Sequence, residues 1–178
     1  MKLWHVATGL SVMMALVACK SPSPPKGIAP VNNFEADKYL GKWYEIARLD
    51  YYFERGLDHV TAEYTLKKEG TIRVVNRGYD PVKKAWKQSE GKALFTGPKN
   101  IAALKVSFFG PFYAGYNVIA IDPDYKYALI SGQNRDYLWI LSRTPDIPVS
   151  VKVQYLEIAK EYGFPINKLI WVNQDDIL

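Results

Sequence analysis

HVTAEYTL (59–66), KKEG (67–70) and TIRVVNRGY (71–79) decide the fold. Val60, Ala62, Tyr64 and Leu66 alternate with Thr61, Glu63 and Thr65, the period of two that gives a strand one dry and one wet face. Lys68-Glu69-Gly70 makes a turn. The return run then places Ile72, Val74 and Asn76 on one face and Arg73, Val75 and Arg77 on the other, which completes a hairpin. Similar runs flank it: GKWYEIARL (41–49), AWKQSEGKALF (85–95), ALKVSFF (103–109), GYNVIAI (115–121), YKYALIS (125–131) and YLWILSR (137–143). Tyr79-Asp80-Pro81, Gly97-Pro98, Gly110-Pro111, Asp122-Pro123-Asp124 and Gly132 to Asp136 punctuate them with turn chemistry. Such spacing favours a sandwich or a barrel, and short turns between eight antiparallel strands favour the up-and-down barrel. The period then changes. Val151, Tyr155, Ile158 and Tyr162 form one apolar stripe ahead of Gly163, as in a helix lying against a core, and LIWV (169–172) reads as a further short strand. The expected architecture is all-β: an eight-stranded antiparallel up-and-down β-barrel, with one C-terminal α-helix packed outside and a short ninth strand.

The chain has 178 residues, 48% of them hydrophobic, which fits one folded domain and excludes a disordered chain. One cysteine rules out a disulfide framework and any site built on two or four cysteines. Two histidines leave little room for metal or acid–base chemistry, so neither cofactor nor metal is expected. A formal charge of +5 raises the thought of nucleic acid. Setting aside Lys2, Lys20 and Lys26, however, leaves 20 basic against 18 acidic residues over 31–178. No basic cluster exceeds two residues, and no nucleic-acid partner is expected.

Residues 1–18 carry Lys2 ahead of a 13-residue apolar run, Val6 to Ala18, too short to span a membrane comfortably and suited to a signal peptide. Leu16-Val17-Ala18-Cys19 resembles the bacterial lipobox. That resemblance implies cleavage before Cys19, diacylglycerol on its sulfur and an acyl chain on its amine. Lys20, where an aspartate would signal inner-membrane retention, implies lipid-anchored delivery to the outer membrane on its periplasmic face. KSPSPPKGIAP (20–30) is proline-rich and reads as an extended tether of about 40 Å from Lys20 to Asn33. The expected organisation is signal peptide 1–18, lipidated cysteine and tether 19–33, and globular domain 34–178.

Turns of an up-and-down barrel alternate between its two ends. One end collects Gly41 to Tyr44, Asp122 to Tyr125 and Arg143; the other collects the loops around 50–58, 79–85, 109–114 and 132–136. Gly41-Lys42-Trp43, Asp124-Tyr125 (with Pro123 where a threonine is usual) and Arg143 together resemble the signature of the lipocalin family. WYEIAR, FERG, KVSFFGPFY and the lipobox resemble its bacterial branch, related to apolipoprotein D. The resemblance covers nearly the whole mature chain. It implies a calyx for small apolar molecules, with fatty acids and lysophospholipids as the ligands of the bacterial branch. Physically, Trp43 plugs the floor and Arg143 lies over its ring; with Gly41, Asp124 and Tyr125, these residues close the barrel and need not touch ligand.

Alternation places Val60, Ala62, Tyr64, Leu66, Ile72, Val74, Asn76, Leu104, Val106 and Phe108 on the cavity wall. The last barrel strand contributes either Trp139 and Leu141 or Leu138 and Ile140. Tyr51, Tyr52, Phe53, Phe109, Pro111, Phe112 and Tyr113 fall at the open mouth, as entrance, dimer face or membrane contact. Arg55, Lys83, Lys84 and Arg135 fall there too, where cations attract acidic head groups. Glu45 and Glu90 are candidates to point inward. His59, the one histidine beyond the signal segment, reads as incidental, and no Gly-x-Ser-x-Gly elbow is present. The expectation is therefore a non-enzymatic, anchored protein binding fatty acid or lysophospholipid for storage or transport in envelope maintenance. Two alternatives are an envelope enzyme acting on lipids and an interaction barrel that uses its aromatic rim, for example as a homodimer.

Overall fold

A computed structural model describes residues 21–175; the expected signal peptide and Cys19 lie outside the described residues. After a four-residue helix α1 (Ala36–Tyr39) come β1 (Gly41–Arg48), β2 (Asp58–Leu66), β3 (Ile72–Asp80), β4 (Ala85–Phe95), β5 (Ala103–Ser107), β6 (Ala114–Ile121), β7 (Tyr127–Ser131) and β8 (Leu138–Ser142). Helix α2 (Val149–Glu161), a 3₁₀ turn at Ile166–Lys168 and β9 (Ile170–Trp171) follow. Among the described residues, neighbouring strands pair antiparallel in chain order from β1 to β8, and β8 returns to β1. The result is a closed eight-stranded barrel with β9 added beside β1.

Two layers of side chains explain the burial. Inside, Trp43, Tyr64, Ile72, Val74, Ala93, Leu104, Val118, Ile130 and Leu141 belong to one cluster. Outside, Ile46, Ala47, Ile119, Leu129, Leu138 and Ile140 pack with Tyr155, Ala159 and Phe164 of the α2 region. The last barrel strand thus turns Trp139 and Leu141 inward and Leu138 and Ile140 toward the helix. Gly163 ends the helix region at φ +78°, a left-handed conformation natural to glycine.

The expected YKYALIS strand starts two residues late. Asp122 accepts the backbone N–H groups of Asp124, Lys126 and Tyr127, and this holds the turn through Lys126. Tyr125 sits in it at φ +57° and sends its ring into the floor.

The floor is built around Trp43 and Arg143. The Trp43 indole is fully buried and donates to the Tyr39 carbonyl at 2.8 Å. The Arg143 guanidinium lies 3.8 Å from the Trp43 ring centroid and donates to the carbonyls of Lys38, Lys42 and Tyr125. Gly41 takes φ +92°, with the guanidinium 3.5 Å from where a Cβ would stand.

Two further features correct the sequence reading. The stretch expected as a free tether is docked from Pro25 onward. Val31 exchanges backbone hydrogen bonds with Val118 and Ala102, Asn32 bridges to Ile101, and Ile28 is buried with the α2 cluster. Ile28, Val31 and Phe34, three residues apart, find surfaces of the barrel to cover, and that burial holds down a stretch whose prolines alone would leave it solvated. The second feature is a seam. β1 pairs with β2 only over Gly41–Tyr44. Above that, β1 pairs with β9 through Ala47 and Arg48, and the Gln174 amide donates to the carbonyls of both Glu45 and Val60. The C-terminal segment therefore fills the upper gap between the first two strands. His59, at φ +52°, hydrogen-bonds the Asp175 carbonyl through Nε2 as part of this joint.

Candidate functional site

The barrel encloses a cavity of about 770 Å³ that opens between the mouth loops, within the roughly 300–1,000 Å³ usual for small-molecule sites. Val60, Ala62, Tyr64, Ile72, Val74, Asn76, Leu104, Val106, Phe108, Phe112, Tyr113 and Trp139 all line it. Leu66 does not. It lies two residues beyond the Tyr64–Gly41 pair, past the floor, and is exposed. The alternation is correct there, but the enclosed part of the wall has already ended.

Depth brings polarity that strand patterns did not reveal. Tyr39, Tyr64 and Tyr116 form a buried trio, with the Tyr116 hydroxyl bonded to those of Tyr39 and Tyr64. Burial raises all three phenols above their ordinary value, so they stay neutral. Tyr116 stands opposite Leu104, so register across β5 and β6 assigns it inward where the sequence left the strand open. Asn76 keeps its carbonyl oxygen buried without a protein partner.

Higher up, a charged group is set into the wall, with Glu45 and Glu54 among the lining residues. A bulge between Glu45 and Ala47 makes Ile46 the extra residue, so that Arg48 joins Glu45 on the inner face, opposite Trp139. Arg48 is 1% exposed and Glu45 4%. The guanidinium donates to Glu45 Oε1 at 2.7 Å and to the carbonyls of Glu54 and Leu57, while the Trp139 indole donates to Glu54. One cation thus serves two carboxylates. Burial, reinforced by the Glu54 charge and opposed by Arg48, pushes Glu45 up to about 8. Burial also raises Glu54, against the Trp139 hydrogen bond and the Arg48 charge. At neutral pH the group therefore holds a proton on Glu45 that an ordinary carboxylate would have released.

Glu90, the other expected inward carboxylate, faces out and pairs with Arg73. It opposes Val75, on the wet face. Glu54 takes its place as the neighbour of Glu45.

A raised carboxyl means that the folded state binds a proton that the unfolded chain releases. Stability contributed by protonated Glu45 is therefore present at low pH and declines as pH rises from the ordinary carboxylate range to about 8. Urea unfolding at several pH values should show this downward slope. Glu45→Gln should flatten it, and an equal slope in the variant would remove Glu45 as its cause.

The mouth is aromatic. Tyr52, Phe53, Phe109 and Phe112 are exposed by 75%, 58%, 64% and 78%, whereas Tyr51 folds back onto Tyr137 and Trp139. Phe53 and Phe109 meet at 5.7 Å and join two loops. Of the expected mouth cations, Arg55 is paired with Asp50, and Lys83 and Lys84 are exposed. Arg135 is differently employed: it donates to the carbonyls of Tyr162 and Lys26, fastening the docked N-terminal segment to the end of the α2 region. The cations that do reach the cavity lining are Arg77 and Lys87.

A closed up-and-down barrel with a Trp–Arg floor, an outside helix and an apolar calyx defines a lipocalin. The chain belongs to that family: a model described as a lipocalin-like domain matches residues 34–174. It is 58% identical over 174 residues to outer membrane lipoprotein Blc of Citrobacter freundii, covering 98% of each chain. To outer membrane lipoprotein Blc of Escherichia coli K12 it is 56% identical, again over 98% of each. Among solved structures, insecticyanin from the tobacco hornworm Manduca sexta superposes with a TM-score of 0.68 at 20% identity, covering 87% of this chain and 88% of that one, a likeness of fold.

Proposed function

We propose that this protein is a lipid-anchored, non-enzymatic binding protein of the bacterial outer membrane that holds a fatty acid or lysophospholipid for storage or transport in envelope maintenance. The observation that carries this reading is the deep cavity of about 770 Å³, apolar along most of its wall and closed below by Trp43. Such a wall suits an acyl chain, which requires few polar partners. The tail goes down and the head group stays high. At depth the phenols satisfy one another, and the Nη atoms of Arg48 are engaged by Glu45 and two carbonyls. At the rim, Lys83 and Lys84 are open to solvent and can meet a carboxylate or phosphate. The lipobox-like end at Cys19 and the outer-membrane designation of the bacterial relatives support the anchored location.

Native mass spectrometry of delipidated protein titrated with palmitate or with a lysophospholipid tests the reading. A one-to-one complex is expected with at least one of them, and none with either would refute it. Leu104, 5% exposed on the wall, supplies the matching variant. Leu104→Trp should weaken acyl-chain binding roughly five- to 150-fold, the counterpart of about 1–3 kcal/mol of overpacking.

A further inference from the structure

Among the described residues, the barrel wall is least continuous between β1 and β2. β3 and β4 pair without interruption over Ile72–Asp80, whereas β1 and β2 pair only over Gly41–Tyr44. Both strands carry an irregularity where they part: β1 between Glu45 and Ala47, β2 between Asp58 and Thr61. Such bulges bend a strand and end its pairing.

Residues 172–175 close the gap as a strap with few ties. The Val172 amide donates to the Ile46 carbonyl at 2.9 Å, and the His59 amide donates to the Asn173 carbonyl at 2.8 Å. The Gln174 side chain donates to the carbonyls of Glu45 and Val60 at 2.8 and 2.9 Å. A gap bridged by one side-chain amide opens when a short segment swings away, whereas a continuous ladder must be unzipped. His59 holds a left-handed φ of +52°, which a residue with a side chain keeps only while its neighbours enforce it. The carbonyls of Asn173 and Asp175 are those neighbours.

The strap stands directly before the cavity. Val172 packs with Leu57 and Val60 in a small cluster separate from the two main cores, and Leu57 and Val60 line the cavity. On the outer side, Gln174 borders a second cleft of about 260 Å³ together with Tyr44 and Trp86. Thr61 and Arg77 border both spaces.

We propose that the strap is a side gate: its release parts the upper halves of β1 and β2 and opens a second route into the cavity, through the wall and independent of the mouth. The proposal rests on the binding reading above and adds a path to it. A slot along the wall lets an acyl chain pass sideways while its head group trails outside, so the head group never crosses the apolar interior. A gate alters the barrier and not the end states, so association and release change by one factor and Kd stays constant.

The test follows uptake and release of dansylated undecanoic acid by stopped-flow fluorescence, on the full chain processed in cells and kept in amphipol. Leu57→Cys with Val172→Cys places two thiols in one cluster, and oxidation fastens the strap to the wall. The oxidised form should exchange the probe about tenfold more slowly in both directions than the same protein reduced, as expected when a gating segment is locked. Gln174→Ala, which frees the strap without any new bond, should speed both directions roughly fivefold, the counterpart of about one net hydrogen bond. Kd should be the same in all forms. Equal rates in the two redox states, or an unaltered Gln174→Ala, overturn the gate and leave the binding reading intact; Gln174→Ala decides alone where the thiols do not join. Release changed by itself, with Kd moved by the same factor, assigns the strap to affinity rather than passage and also overturns the gate. A parent protein that binds no probe refutes the binding reading and the gate with it.

Discussion

Trp43→Ala lowers the unfolding free energy by about 3–5 kcal/mol, the range for a fully buried tryptophan that leaves a cavity behind. The indole is 0% exposed. Its loss frees the Tyr39 carbonyl, which now accepts the indole N–H at 2.8 Å, removes a ring contact at 4.9 Å to Tyr39, and strips Arg143 of the face it covers at 3.8 Å. Burial already holds the Arg143 guanidinium below its ordinary value, so it loses favourable contact without regaining full hydration. Trp43→Phe keeps a ring beneath Arg143 and forfeits mainly the hydrogen bond and part of the volume, so its loss should be roughly 1–2 kcal/mol. Chemical unfolding of the delipidated protein measures both. A loss below about 1 kcal/mol for the alanine variant would mean that the floor plug is not what holds this end together.

Arg48→Ala is the second large effect, about 3–5 kcal/mol at mildly alkaline pH, the cost of leaving buried carboxylates without their cation. Two changes combine. Glu45 and Glu54 lose the one charge that opposes their desolvation, and the carbonyls of Glu54 and Leu57 lose the donor that fixes the 49–57 loop to the wall. The electrostatic part depends on pH. In acid the carboxyls take up protons and the deficit shrinks; as pH rises they must ionise unpaired or stay protonated at growing cost. Urea titrations at pH 5 and pH 8 should therefore give a larger difference from the parent protein at pH 8, and adding Glu45→Gln should recover part of it. A difference independent of pH would assign the whole effect to the two lost carbonyl bonds.

The barrel was legible because hairpin strands with one wet face announce their period, and the turns between them fix which end each loop occupies. HVTAEYTL and TIRVVNRGY sufficed for the orientation of Val60, Tyr64, Ile72 and Val74. The Trp43–Arg143 floor was legible from its signature residues. Glu45 was already a candidate to face inward, but the Arg48 beside it was not legible. Uninterrupted alternation from Trp43 sends Ala47 inward and Arg48 outward, and one bulge at Ile46 reverses this. No local pattern in GKWYEIARL marks that bulge, because it arises where β1 exchanges one neighbour for another. The docked segment at 25–33 escaped for a related reason. Its prolines state what the backbone prefers alone, whereas the surface awaiting Ile28 and Val31 is made by strands far away in sequence. Leu66 was misplaced because alternation names a face and not the height at which an enclosure ends.

The joint at β1 sets the order in which this molecule can be completed. Gln174 ties to the Glu45 carbonyl across 129 residues of chain, and Tyr44 on β1 meets Ser142 on β8. Neither link can form until those late segments are available, and the entropy of closing such long loops must be met before the contacts return it. The hairpins from β2 to β7 involve neighbours and can assemble early. The first strand is thus the last to find all its partners, and a chain arrested before β8 emerges would be an open sheet whose outer edges, β1 and β7, are both unpaired, the form most exposed to aggregation and proteolysis.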